Sequence, residues 1–112
     1  MIVTITSLHL RTLFKFFRLS LHGMRVMQQA KSQKGYIKMK NTGLGYKHYT
    51  LSAWETLEDV KQFSKSGAHL EAMKECTAIA TEIGIYTYET DKIPSWSEAK
   101  KLVNEKGKIL KF

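Results

Sequence analysis

The order of strand-like and helix-like segments is the feature that most constrains the fold of this chain. Residues 2–9 are dense in β-branched side chains and predict a strand, and a helical spacing runs from Leu13 to about Lys31. Two alternating segments, 36–40 and 46–54, then flank glycine- and asparagine-rich turn residues at 41–45. The first half therefore predicts a strand, a helix and a β-hairpin.

The second half repeats the helix and the strand and then adds a short helix. Thr56 and Asp59 resemble a capping box with a shorter acid at its third position. Helical patterns then cover 57–64 and 68–82, interrupted at Ser66-Gly67, and residues 84–90 alternate as a strand. Pro94 precedes a capping box of Ser95 and Glu98, which predicts a helix to about Lys106, with a terminal strand left open at 109–112.

The resulting order, β-α-β-β-α-β with a C-terminal helix, is that of an α+β, ferredoxin-like domain. We expect one domain over residues 1–112, with a four-stranded antiparallel sheet and its helices on one face. The opposite face of such a sheet must also be covered, by the C-terminal segment or by another chain.

The first helix has apolar residues at three- and four-residue spacing, which predicts one buried face. These are Leu13, Phe14, Phe17, Leu21 and Met24. Gly23 weakens the middle of this helix, so we expect a tight packing contact there.

Charge and composition exclude several classes of protein. A single cysteine, Cys76, excludes a disulfide framework and a cysteine-based zinc site. The net charge of +8 favours anionic partners, but the lysines are scattered and residues 46–50 lack the aromatic-glycine signature of RNA-binding sheets, so we expect no nucleic-acid partner. Arg11, Lys15 and Arg18 interrupt the apolar N-terminal residues, so we expect neither a signal sequence nor a membrane span, and a cytoplasmic location.

Among the ionisable residues, His69 is the strongest candidate for chemistry. It lies three residues after a candidate N-cap, Ser66, where the positive end of the helix favours a neutral imidazole. A neutral imidazole can act as a base or bind a metal, but it can equally fill a structural position. His48 lies on a strand face with Tyr46 and Trp54, and Tyr49 lies on the other face of that strand.

Several of these residues resemble a known pattern. The chain is similar to spheroidene-monooxygenase-like and antibiotic-biosynthesis-monooxygenase-like proteins of the dimeric α+β barrel superfamily over roughly residues 46–107. The matching residues are Trp54, Phe63, Gly67-Ala68-His69, Ala72-Met73, Pro94, Trp96 and Glu98-Ala99.

The resemblance implies a homodimer whose two sheets face each other and a cavity for a small hydrophobic or aromatic compound. It implies either cofactor-free oxygenation or haem, with His69 as the catalytic residue and, if haem is bound, as the iron ligand or the distal residue. Lysines near the cavity mouth would then meet the haem propionates. Trp54, Tyr49, His48 and Trp96 are the expected ligand-binding or supporting residues. The alternative function is a non-catalytic homodimer that binds or senses a ligand.

Overall fold

The computed structural model describes residues 1–112, which form five strands and four helices. The strands are β1 (Ile2–Leu10), β2 (Tyr36–Leu44), β3 (Lys47–Trp54), β4 (Ala80–Glu89) and β5 (Lys108–Lys111). The helices are α1 (Lys15–Ser32), α2 (Leu57–Ser64), α3 (Gly67–Ile79) and α4 (Trp96–Lys106). The α+β, ferredoxin-like order is confirmed, and the terminal segment adds a fifth strand.

The five strands form one antiparallel sheet in the order β2-β3-β1-β4-β5. Ile5 on the middle strand pairs with Leu51 on one side and with Tyr86 on the other. Because side chains alternate along each strand, this register gives the sheet two distinct faces.

One face of the sheet is covered by α4. Val3, Ile5, Leu51 and Ala53 project from the sheet and pack with Val103 of the helix, and all five residues are fully buried. The chain therefore covers this face itself. Of the two covers expected for this face, the C-terminal segment of the same chain is the one observed.

The other face lies beneath α1, α2 and α3. A small core of Ala30, Trp54 and Phe63 packs at one end of this layer. Towards the middle the sheet presents threonines and serines, whose short side chains do not fill the space below the helices.

Two helix starts follow the sequence prediction. Thr56 Oγ1 accepts a hydrogen bond from the amide of Asp59 (3.1 Å), and Ser95 Oγ accepts one from the amide of Glu98 (3.2 Å). The end of the second helical segment was predicted too late, at residue 82. Helix α3 ends at Ile79 because β4 begins at Ala80, which pairs with Leu10.

The predicted burial of α1 is wrong. Phe14, Phe17 and Met24 are exposed, and the side facing the sheet carries His22 and Ala30. The tight contact predicted at Gly23 is also wrong, because a Cβ added there would have no neighbouring atom within 4 Å. None of the four helices combines the length and apolarity needed to cross a membrane.

Candidate functional site

A cavity of about 530 Å³ lies between the sheet and the helices α1, α2 and α3. Its volume falls within the range of small-molecule sites, roughly 300–1,000 Å³. The walls are mainly apolar and include Leu19 and Val26 of α1, Val60 of α2 and Met73 of α3. The space therefore suits a hydrophobic compound of moderate size.

The floor of the cavity is a row of hydroxyl groups on neighbouring strands. Thr4 and Thr6 of β1, Thr50 and Ser52 of β3 and Thr87 of β4 line it. The hydroxyls of Thr4 and Thr87 lie 2.9 Å apart and hydrogen-bond to each other across the two strands. An apolar cavity with a hydroxylated floor can orient a ligand that carries a few oxygen atoms.

His69 lines this cavity from the first turn of α3. Its Nδ1 lies 3.2 Å from the carbonyl oxygen of Ser64, which can only accept, so Nδ1 carries the proton and donates. Nε2 makes no hydrogen bond within the chain and keeps a lone pair. The neutral ring therefore presents a free basic nitrogen.

Burial lowers the pKa of the His69 imidazole below its ordinary value of 6.5, and the hydrogen bond to Ser64 opposes part of that shift. The sequence predicts a neutral ring because the positive end of helix α3 disfavours the charged form. In the structure desolvation is the larger cause, and it acts in the same direction. His69 is therefore uncharged at neutral pH.

The backbone beneath His69 is held by Gln29 of α1. Gln29 Oε1 accepts a hydrogen bond from the amide of His69 (2.8 Å), and its Nε2 donates to the carbonyl of Ser66 (2.9 Å). Ser66 itself makes no side-chain cap of α3. Gly67 adopts a left-handed φ of +60° at this junction, where a Cβ would lie 2.9 Å from the Gln29 side-chain carbon Cδ. The long-range contact thus replaces a local cap.

A line of aromatic rings supports the imidazole from behind. The Phe63 ring centroid lies 4.8 Å from that of His69 and 4.7 Å from that of Trp54, which packs in turn against Tyr36. Phe63 lines the cavity, whereas Trp54 is fully buried beneath it. Trp54 therefore does not line the cavity and supports Phe63 from beneath.

His22 is a second histidine that lines the cavity, and it is not among the site residues predicted from the sequence. Its Nε2 donates to Glu75 Oε2 (2.8 Å), and Arg18 Nη2 donates to the same oxygen (2.5 Å). These hydrogen bonds lower the pKa of the Glu75 carboxyl from 4.5 to about 2. His22 and Glu75 are 53 residues apart in the chain, so no local motif could reveal the pair.

Three of the predicted ligand-binding residues lie outside the cavity. Tyr49 and Trp96 are on the α4 side of the sheet, within reach of the lysines Lys100 and Lys40, whose Nζ atoms lie 5.3 Å and 5.0 Å from the respective ring centroids. His48 lies near the β2–β3 turn, where its Nε2 is 2.9 Å from the carbonyl of Gly45. The structure does not bring these three residues together with His69.

The lining residues do not fit haem. Lys61 is the only lysine or arginine that borders the cavity, so the several lysines expected to meet haem propionates are absent from it. The floor of the cavity carries hydroxyl groups, which do not match the apolar face of a haem macrocycle. We therefore derive no chemistry through haem.

No protein-family model matches the chain, and no curated protein matches it by sequence. Solved structures do match its backbone. A putative antibiotic biosynthesis monooxygenase from Nitrosomonas europaea superimposes with a TM-score of 0.72 at 14% identity, covering 82% of this chain and 100% of that one. The chain has the fold of antibiotic-biosynthesis-monooxygenase-like proteins. The resemblance to this group inferred from the sequence is confirmed at the level of the fold.

Two further structures agree. A putative antibiotic biosynthesis monooxygenase from Deinococcus radiodurans gives a TM-score of 0.72 at 12% identity over 85% of this chain and 97% of that one. SnoaB, a cofactor-independent oxygenase from Streptomyces nogalater, gives 0.67 at 8% identity over 82% and 94%. At such identities the likeness establishes the fold alone.

Proposed function

We propose that this protein is a monooxygenase-like enzyme that binds a small hydrophobic or aromatic compound in the cavity and oxidises it with O₂ without a metal or organic cofactor. One observation carries the proposal: a neutral His69, whose Nε2 has no hydrogen-bond partner within the chain, lines a mainly apolar cavity of about 530 Å³. The cofactor-independent oxygenase among the structures of the same fold supports it.

The proposed substrate is an electron-rich aromatic of the quinol type. His69 Nε2 takes the proton of a phenolic hydroxyl, and the resulting anion is electron-rich enough to reduce O₂. One oxygen atom of O₂ enters the ring as a hydroxyl group in place of a ring hydrogen, and the other leaves as water. The quinol is oxidised to a hydroxyquinone in the same reaction. The ring supplies all four electrons that O₂ accepts, so the reaction balances without a further reductant.

Four features of the site support this chemistry. The hydroxyl floor provides partners for the substrate oxygens, and the hydrogen bond to Ser64 keeps the proton of His69 on Nδ1. The mainly apolar walls favour binding of an aromatic ring beside the imidazole. His22, oriented by Glu75, lines the same space and is the second group that could exchange a proton with the substrate.

We also propose that the protein is a homodimer, as the resemblance to dimeric α+β barrel proteins implies, although α4 already covers the second face of the sheet. The support is now at the sheet edge, where β5 leaves Ile109 and Leu110 39% and 38% exposed beside an unpaired strand edge. Such an edge commonly pairs with another strand. Solution mass from light scattering tests this part separately.

Oxygen consumption with hydroquinones of increasing alkyl substitution tests the function. We expect turnover by the wild type, and a loss of about 10²- to 10⁴-fold in kcat for His69→Ala. His48→Ala is the matched control and should keep full activity, because His48 lies outside the cavity. Saturable binding without oxygen consumption would overturn the enzymatic proposal and favour the ligand-binding or sensing protein.

A further inference from the structure

The outward face of α1 is apolar and has no partner within the chain. Phe14, Phe17, Leu21 and Met24 follow one another at three- and four-residue spacing and are 83%, 73%, 43% and 57% exposed. A helix normally turns such a stripe towards the core. Here the sheet-facing side already carries Leu19, Val26 and Ala30, so the exposed stripe is a second apolar surface of the helix.

The stripe continues onto the β2–β3 turn. Leu13 and Phe16, at the start of α1, border the same shallow depression as Leu44 and His48, and Leu44 is 91% exposed. The rings of Phe16 and His48 lie 5.4 Å apart, which ties the two elements together. We call this combined surface the α1 face. It consists of the exposed side chains of Leu13, Phe14, Phe16, Phe17, Leu21, Met24 and Leu44.

The charged residues of α1 itself are all basic. Residues 1–54 contain nine lysines and arginines and no aspartate or glutamate. At about 100° per residue, Arg25 flanks one side of the stripe and Lys31 flanks the other, while Arg18, on the side of Arg25, is paired with Glu75. Glu75 of α3 is the acidic residue that reaches this helix, and its carboxylate is already bound to Arg18 and His22.

We propose that the α1 face binds the surface of an anionic lipid bilayer. Protruding phenylalanine and leucine side chains enter the boundary between headgroups and acyl chains, and the flanking cations meet lipid phosphates. A second copy of the chain fits this face less well, since a two-fold contact would bring two basic rims together. The helix lies on the membrane and does not cross it.

Membrane binding would also place the cavity close to lipid, because Leu19 and Val26 of the same helix form one of its walls. A quinol-type substrate dissolved in the bilayer would then have a short route to His69. This last step rests on the proposed function, whereas binding of the α1 face to lipid does not.

Co-sedimentation with phosphatidylcholine vesicles, with and without phosphatidylglycerol, tests the proposal. We expect binding only to the anionic vesicles, weakening as salt is added. The double variant Phe14→Ser/Phe17→Ser should bind at least tenfold more weakly. Phe112→Ser is the matched control and should bind like the wild type, because this 44% exposed phenylalanine follows β5, the edge strand opposite to β2 and Leu44.

A charge-reversed pair provides a second comparison. Arg25→Glu/Lys31→Glu should abolish vesicle binding, whereas Lys101→Glu/Lys106→Glu on α4 changes the net charge equally and should retain most of it. Circular dichroism checks that each variant is folded. Failure of the wild type to bind anionic vesicles would overturn the proposal. So would equal losses in both charge-reversed pairs, or a wild-type dimer that dissociates in Phe14→Ser/Phe17→Ser. None of these outcomes depends on oxygenase activity.

Discussion

The side-chain amide of Gln29 on α1 holds the backbone amide of His69 on α3 at 2.8 Å, across 40 residues of sequence. The same amide group donates to the carbonyl of Ser66. One glutamine therefore caps α3 and joins it to α1, and these are two of the three helices that cover the cavity. The position of the proposed base depends on this contact, because His69 lies in the first turn that Gln29 caps.

Replacing Gln29 with alanine should lower stability by about 1–2 kcal/mol, the usual cost of losing a helix cap together with a partly buried hydrogen bond. Urea denaturation measures the difference. Gln28→Ala is the matched control, since Gln28 is exposed on the same helix and should change stability little. An equal effect of the two variants would contradict the capping role.

The glycines Gly23 and Gly67 should respond in opposite directions to alanine. Gly67→Ala places a Cβ against Gln29 at a left-handed φ and should destabilise the protein by about 1 kcal/mol or more. Gly23→Ala meets no atom and should stabilise α1 by up to about 1 kcal/mol. Thermal unfolding of both variants gives the comparison.

A larger residue at Gly23 tests the cavity itself, because Gly23 lines it. Gly23→Leu should fill part of the space and weaken ligand binding at least tenfold while leaving His69 in place. Isothermal titration with a quinol-type ligand measures the loss. Unchanged affinity would show that the ligand binds elsewhere.

Acid should destabilise the protein in a window set by Glu75. Its pKa is about 2 in the folded chain and 4.5 in the unfolded one, so its stabilising effect is full above 4.5 and is lost as the pH falls towards 2. Glu75→Gln should remove this part of the acid sensitivity, measured by denaturation at several pH values. Glu71→Gln, beside the exposed Lys74, should leave it unchanged.

Trp54 should prove to be a structural residue. It is fully buried against Phe63 and Ala30, and its Nε1 has no hydrogen-bond partner. Trp54→Ala should cost about 3–5 kcal/mol. Trp54→Phe should cost much less, because it removes the unpaired N–H together with part of the ring. Denaturation of both variants, with ligand affinity measured for the folded one, tests a supporting role against direct contact.

Local patterns predicted most of the fold. The caps at Thr56 and Ser95 depend on residues three positions away, and the alternation in β3 correctly separated Thr50 and Ser52 from Tyr49 and Leu51. Spacing in α1 identified an apolar stripe but not its direction, which packing of the whole layer determines.

The candidate site depended mostly on long-range contacts. His69 was identified from its position at a helix start, and the structure places it beside the cavity. The Gln29 contact and the His22–Glu75 pair join residues 40 and 53 positions apart, so no local pattern carries them. The separation of Tyr49 and Trp96 from the cavity follows from α4 covering the opposite face of the sheet.

Nitrogen-15 NMR of the histidine side chains, recorded across pH and with a quinol-type ligand, tests whether a neutral His69 contacts the ligand through Nε2. We predict that His69 carries its proton on Nδ1 and that its pKa is below 6.5. Adding the ligand should shift the Nε2 resonance of His69 and leave the ring nitrogens of His48 unshifted. A proton on Nε2 in the free protein, or a ligand that leaves the His69 ring unchanged, would contradict the account.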